Sequence, residues 1–107
     1  MTRTPSQQAR QMFGATAPRF AELTDALLFD DIWERPGLSK RERSLVTVAA
    51  LTALYRLEQL PFHLDLALKN GLTPEELAEA ATHLAFYAGW PAAASAVRLL
   101  GEAARAA

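Results

Sequence analysis

Residues 58–91 read EQLPFHLDLALKNGLTPEELAEAATHLAFYAGWP, and their punctuation decides the fold. Pro61 suits the first turn of a helix, and Asn70-Gly71 supplies a C-terminal stop. Thr73-Pro74-Glu75-Glu76 starts a second helix, with Thr73 as cap and two acids in the first turn. Gly89-Trp90-Pro91 then breaks it. Leu60, Leu64, Ala67 and Leu68 recur at helical spacing and should face inward. The same stretch holds both of the chain's histidines, His63 and His83, beside Glu58, Tyr87 and Trp90. Groups able to move protons are costly to bury unless they are paired or used, so this is where a site is expected.

The helical reading extends outward on both sides. Upstream, Ser39-Lys40-Arg41-Glu42 forms a capping box, in which hydroxyl and carboxylate satisfy orphan amides at a helix start. The helix it opens runs to about Leu57. Residues 45–57, LVTVAALTALYRL, are apolar around most of the circumference and need cover on every side, which a small domain cannot supply alone. A run of about 13 residues is short of the ~20 that cross a bilayer, and Arg56 interrupts it. It reads as the central helix of an oligomer. Earlier still, Pro5 to Phe13 suggests a short, weakly amphipathic helix ended by Gly14. Pro18 opens a segment reaching Leu28, with Phe20, Leu23, Leu27 and Leu28 at helical spacing. Phe29, Ile32 and Trp33 lead to a turn at Pro36-Gly37. Downstream of Pro91, an alanine-rich helix to about Ala104 carries Val97, Leu99 and Leu100. No strand pattern and no repeat interrupts this. The expected fold is all-α: one domain over the 107 residues, a compact bundle of about six helices.

Composition narrows the function. Half of the residues are hydrophobic, enough for a core. The formal net charge is −1. The one basic cluster, Arg35, Lys40, Arg41 and Arg43, is interleaved with Glu34 and Glu42, unlike the one-sided excess of a nucleic-acid binder. There are no cysteines, hence no disulfide framework, thiolate nucleophile or cysteine metal site. The first residues lack an apolar signal core, so a cytoplasmic protein is expected, with neither membrane nor nucleic acid as partner.

Each candidate residue carries two readings. His63 borders the apolar face of its helix, either as a core-edge histidine bonded to a carbonyl or as a proton-transfer group. Glu58 lies five positions earlier, roughly 140° away on a continuous helix, and shares a face with His63 only if the chain turns at Leu60-Pro61. Glu79, His83 and Tyr87 stand at i, i+4 and i+8 and stack along one stripe, as a partly exposed ladder or as catalytic groups. His63, His83 and one acid would make a two-histidine, one-carboxylate metal set, but no HxxxH or HxH spacing supports it, and no metal is expected. Trp90 and Phe86 are packing residues or stacking platforms. Arg41 and Arg43 are either solvated or suited to grip a carboxylate.

Taken in order, the motifs W-x-R-P-G-L-S, R-x-R, E-x-x-x-x-H, an A-x-x-x-G segment and Y-A-G-W-P resemble the carboxymuconolactone decarboxylase family, which shares the alkylhydroperoxidase D fold. The resemblance runs from about Leu28 to Leu100 and includes DIWERPGLSKRERSLVTVAALTAL. It implies an all-helical subunit in a homo-oligomer, trimer or hexamer, with sites between subunits. The peroxidase branch uses C-x-x-C-x-x-x-H. Aligning that histidine with His63 places the cysteines at Arg56 and Gln59, so the decarboxylase-like branch is the better match. The resemblance carries Glu58 and His63 onto one motif, and His83, Tyr87 and Trp90 onto a second block.

The implied activity is cofactor-independent decarboxylation of a small carboxylated lactone such as 4-carboxymuconolactone, a lyase reaction of aromatic catabolism. His63 would donate the proton, oriented by Glu58. His83 or Tyr87 would stabilise the developing oxyanion, and Arg41 or Arg43 would hold the second carboxylate, with Trp90 lining the substrate. The same histidines would equally serve hydrolysis, isomerisation or another proton transfer on a lactone or oxo-acid. A non-enzymatic oligomeric binding protein is the remaining alternative.

Overall fold

The computed structural model describes residues 4–107; Met1, Thr2 and Arg3, which open the stretch read as lacking a signal core, lie outside the described residues. Among the described residues there are six α-helices and no strand. The chain divides into two compact units, one ending at Leu38 and one spanning Ser39–Ala107.

The first unit holds α1 (Gln8–Phe13), α2 (Pro18–Leu23), a π-helical turn (Thr24–Phe29) that continues α2, and a 3-10 turn (Ile32–Glu34). Pro5 to Gln7 stay outside the helix. The expected segment from Pro18 to Leu28 is helical but changes type at Thr24. There the Asp30 amide reaches back to the Asp25 carbonyl at 2.8 Å, and the Thr24 hydroxyl bonds the Phe20 carbonyl at 2.8 Å. Such back-bonding and π-turns bend a helix and re-aim its side chains. The result is a buried carboxylate. Asp25 accepts from the Ser6 hydroxyl at 2.6 Å and from the amides of Ala9 and Arg10, each at 3.0 Å, so it caps the start of α1. Burial pushes its carboxyl up, but these three donors outweigh it and hold it below the ordinary value of 3.8. Phe20, Leu23, Leu27 and Leu28, which set the helical spacing, remain exposed; Ala21 and Asp25 are the buried positions.

The second unit carries α3 (Lys40–Ala53), α4 (Leu60–Lys69), α5 (Pro74–Ala88) and α6 (Trp90–Ala106). Its core joins Val48, Leu60, Leu64, Ala67, Leu72, Leu77, Ala81, Ala96 and Leu100. Leu60, Leu64 and Ala67 are the inward positions read from the sequence; Leu68 packs against this core while half-buried. Each fully buried leucine contributes about 1.5–3 kcal/mol relative to an exposed one. α4 and α5 each pack against both α3 and α6. Ala92, Ala93 and Ala96 are the small buried residues that let α6 approach its neighbours.

The helix starts follow the sequence closely. Ser39 accepts from the Glu42 amide at 3.0 Å while Glu42 accepts from the Ser39 amide at 2.8 Å. Thr73 and Glu76 repeat the exchange at 3.1 and 3.0 Å. The end of α3 does not reach Leu57. The helix stops at Ala53, with Tyr55 at φ 59°. The Tyr55 amide bonds the Thr52 carbonyl at 3.1 Å and the Arg56 amide bonds Leu51 at 2.8 Å, a Schellman closure. Glycine normally fills the left-handed position, so a tyrosine there gave no sequence signal for the stop. Gly71 plays the same part after α4 at φ 102°. Gly89 (φ 102°, ψ 151°) alone separates α5 from α6, in a region of backbone space that essentially only glycine occupies.

Within the single chain α3 is covered on one side. Its deepest positions are Ser44, Val48 and Thr52, whereas Val46 and Leu54 are about 60% exposed.

Candidate functional site

A groove of about 440 Å³ runs between α3 and α5. α3 supplies Arg41, Leu45 and Ala49, at successive turns of one face, and α5 supplies Glu76, Glu79, Ala80, His83 and Leu84. One end is ionic. The first turns of the two helices meet there, and the Arg41 guanidinium donates to Oε2 of Glu76. The other oxygen, Oε1, accepts from the Thr73 amide, so one carboxylate closes a capping box and binds an arginine at once. The Thr73 amide first, and then Arg41, hold the Glu76 carboxyl below its ordinary value of 4.5. The middle of the groove is apolar, formed by Leu45, Ala49, Ala80 and Leu84. His83 stands exposed on its wall, and its ring stacks on Tyr87 with centroids 4.9 Å apart and planes 28° from parallel. Glu79 and His83 of the expected stripe thus line the groove, while Tyr87 lies a turn further along α5, 79% exposed.

The two arginines separate. Arg41 faces this groove. Arg43, two positions on and roughly 200° around the helix, is half-buried and outside the groove's lining. Trp90 separates too: at the start of α6, it borders a second groove of about 360 Å³ between α5 and α6, with Ala85, Ala93, Val97 and Arg98. Phe86 meets the Trp90 ring edge-on at 5.9 Å.

His63 occupies a different setting. It projects from the first turn and a half of α4, half-buried, with the Phe62 ring edge-on at 5.0 Å. Burial pulls its imidazole below the ordinary value of 6.5, favouring the neutral ring. Glu58 lies exposed in the turn before α4, and no hydrogen bond among the described residues ties it to His63. His63 and His83 stand on separate helices. No group of three metal-ligating side chains converges among the described residues.

Two features were missed in the sequence. Glu76 read only as an acid in a first turn, although its place as third helical residue already frees one oxygen for another partner. Ser44, fully buried, accepts from Asn70 Nδ2 at 3.0 Å and ties α3 to the end of α4. The Thr52 hydroxyl is buried on the same stripe, with no hydrogen-bond partner among the described residues. The i, i+4, i+8 spacing of Ser44, Val48 and Thr52 was visible, but hydroxyls among so many larger apolar residues did not read as the buried face.

A family model described as the carboxymuconolactone decarboxylase family matches residues 18–102. The 4-carboxymuconolactone decarboxylase of Acinetobacter baylyi is 40% identical over 83 residues, covering 78% of this chain and 62% of the relative. The nitrosuccinic acid decarboxylase of Metarhizium robertsii is 34% identical over 76 residues, covering 71% of this chain and 53% of the relative. The chain therefore spans between half and two thirds of the length of these relatives. Motifs, helical architecture and a match over most of its length agree: the chain belongs to the carboxymuconolactone decarboxylase family.

Proposed function

We propose that this protein is a cofactor-independent decarboxylase of small acids that carry a second carboxylate and an electron acceptor near the departing one. The observation that carries this reading is the α3–α5 groove, which sets a guanidinium at one end, an imidazole on its wall and apolar surface between them. Its volume suits a small ligand. The two relatives support the substrate class by their names. 4-Carboxymuconolactone can pass the electrons of the broken carbon–carbon bond through a ring double bond to a lactone carbonyl. Nitrosuccinic acid offers a nitro group beside a carboxyl.

The chemistry needs three services. Arg41 holds the retained carboxylate by charge-assisted hydrogen bonds. The departing carboxylate lies along Leu45, Ala49 and Leu84, where loss of water favours its leaving as neutral carbon dioxide. His83, or Tyr87 next to it, donates to the acceptor oxygen as negative charge develops. His63 then delivers the proton to carbon, with Glu58 orienting it when substrate is bound.

The protein works as a homo-oligomer, a trimer or hexamer, which brings His63 of one copy to the groove of another. Val46, Leu54, Phe86, Tyr87 and Trp90 support assembly, because each leaves more than half of its surface exposed on the single chain. Light scattering on purified protein would test this, and a monomer at micromolar concentration would refute it.

The activity is tested by incubating the protein with 4-carboxymuconolactone and, in parallel, nitrosuccinate, following ultraviolet absorbance and carbon dioxide release with and without chelator. Chelator-insensitive release from either acid is expected. Absence of release from both would overturn the decarboxylase reading.

A further inference from the structure

We propose that Glu76 is a specificity-determining residue that occupies Arg41 and must yield it to a substrate carboxylate. The inference rests on the reading of Arg41 as the carboxylate-holding residue and adds a competitor for it. Arg41 and Glu76 are both 44% exposed by side chain, and an exposed ion pair of this kind is worth little, so exchange is cheap. Glu76 is also anchored apart from Arg41. Its Oε1 and its amide remain in the capping box with Thr73, so release of Oε2 leaves the start of α5 intact.

Charge makes the exchange selective. Among the groove residues, Arg41 is the one permanent cation, and Glu76 and Glu79 carry two negative charges. A ligand carboxylate that reaches Arg41 therefore displaces one carboxylate and comes to rest near two. The groove is built to bind dicarboxylates weakly, which suits release of an acidic product as well as entry of an acidic substrate. Glu76 sets that weakness, because it alone competes directly for the guanidinium.

Glutamine at position 76 isolates this role. Its carbonyl can keep the bond from the Thr73 amide, since glutamine serves in a capping box as glutamate does. Its amide group cannot pair with Arg41. Glu75→Gln is the control: it removes the same charge from the same helix turn but lies outside the groove. The probe is succinate, an unreactive dicarboxylate, titrated against oligomeric protein and read by calorimetry and by the NMR signals of the Arg41 side chain. Glu76→Gln should tighten succinate binding about 3–10-fold, the size of a moderately screened charge interaction. Glu75→Gln should leave it unchanged, and Arg41→Gln should abolish the gain in the double variant. Weaker or unchanged binding in Glu76→Gln, an equal gain in Glu75→Gln, or no succinate binding by either protein would overturn the proposal. Carbon dioxide release is scored separately, so succinate binding as expected with no turnover would condemn the decarboxylase reading and leave the competition standing.

Discussion

The two histidines of this chain sit twenty residues apart in sequence and in opposite physical circumstances. His63 on α4 is half-buried against Phe62, its proton affinity lowered by lost solvation. His83 on α5 is exposed on the wall of a groove, stacked on Tyr87, with Glu79 and the Arg41–Glu76 pair along the same channel. Burial tunes an imidazole but limits what can reach it, whereas a groove admits a ligand. Proton delivery benefits from the first setting and stabilisation of a growing charge from the second. This division is why the proposed mechanism assigns the proton to His63 and the oxyanion to His83.

The largest expected effect follows from that assignment. His63→Gln should lower turnover by about 10²–10⁴ as the loss of a general acid, with the melting temperature retained. Turnover near wild type would break the comparison at its centre. His83→Gln should cost about 10–10², less than the 10²–10³ typical of removing a donor from a closed oxyanion site, because this groove is open to water. If His83→Gln proved the more damaging of the two, the roles would have to be exchanged.

pH gives a second test of His63. A histidine whose folded value lies below its unfolded value binds fewer protons in the native state. Stability from this source is therefore complete above about 6.5, the unfolded value, and falls as pH drops from there towards the lowered folded value, where the loss levels off. Urea denaturation between pH 7.5 and roughly 5 should show this acid-side loss in wild type and a smaller one in His63→Gln. The same group acting as proton donor should make kcat/KM rise as pH falls towards its lowered value. A rate that falls across that range would sink its role as the acid.

Two backbone sites flank these helices and test how firmly each is placed. Gly89→Ala, at the break beyond His83 and Tyr87, should cost about 1–3 kcal/mol by chemical denaturation, since its dihedral angles suit only glycine. Tyr55→Gly, in the turn leading to Glu58 and His63, should be the smallest change. Relief of its left-handed backbone should gain at most about 1 kcal/mol, offset by the larger conformational entropy that glycine loses on folding. A clear destabilisation would show that the Tyr55 ring, whose hydroxyl stands 3.4 Å from the Ser95 hydroxyl, holds the turn by its side chain.

The sequence by itself determined the all-helical class, the starts of α3 and α5, the stops at Asn70-Gly71 and Gly89, and the inward face of α4. Those features are local: a cap, a glycine or a spacing acts within one or two turns, and nothing distant needs to be known. It also determined the family, through motifs whose order survives in one dimension. Tertiary structure decided the rest. It ended α3 at a left-handed tyrosine, made Asp25 a buried cap rather than a surface acid, and turned Ser44 and Thr52 inward while leaving Val46 and Leu54 out. It placed Arg41 rather than Arg43 on the groove with His83, and gave Arg41 to Glu76, 35 residues away. Such pairings depend on which helix faces lie together. A sequence fixes the rotation of a side chain about its own helix, but the neighbour it meets is set by packing of the whole unit.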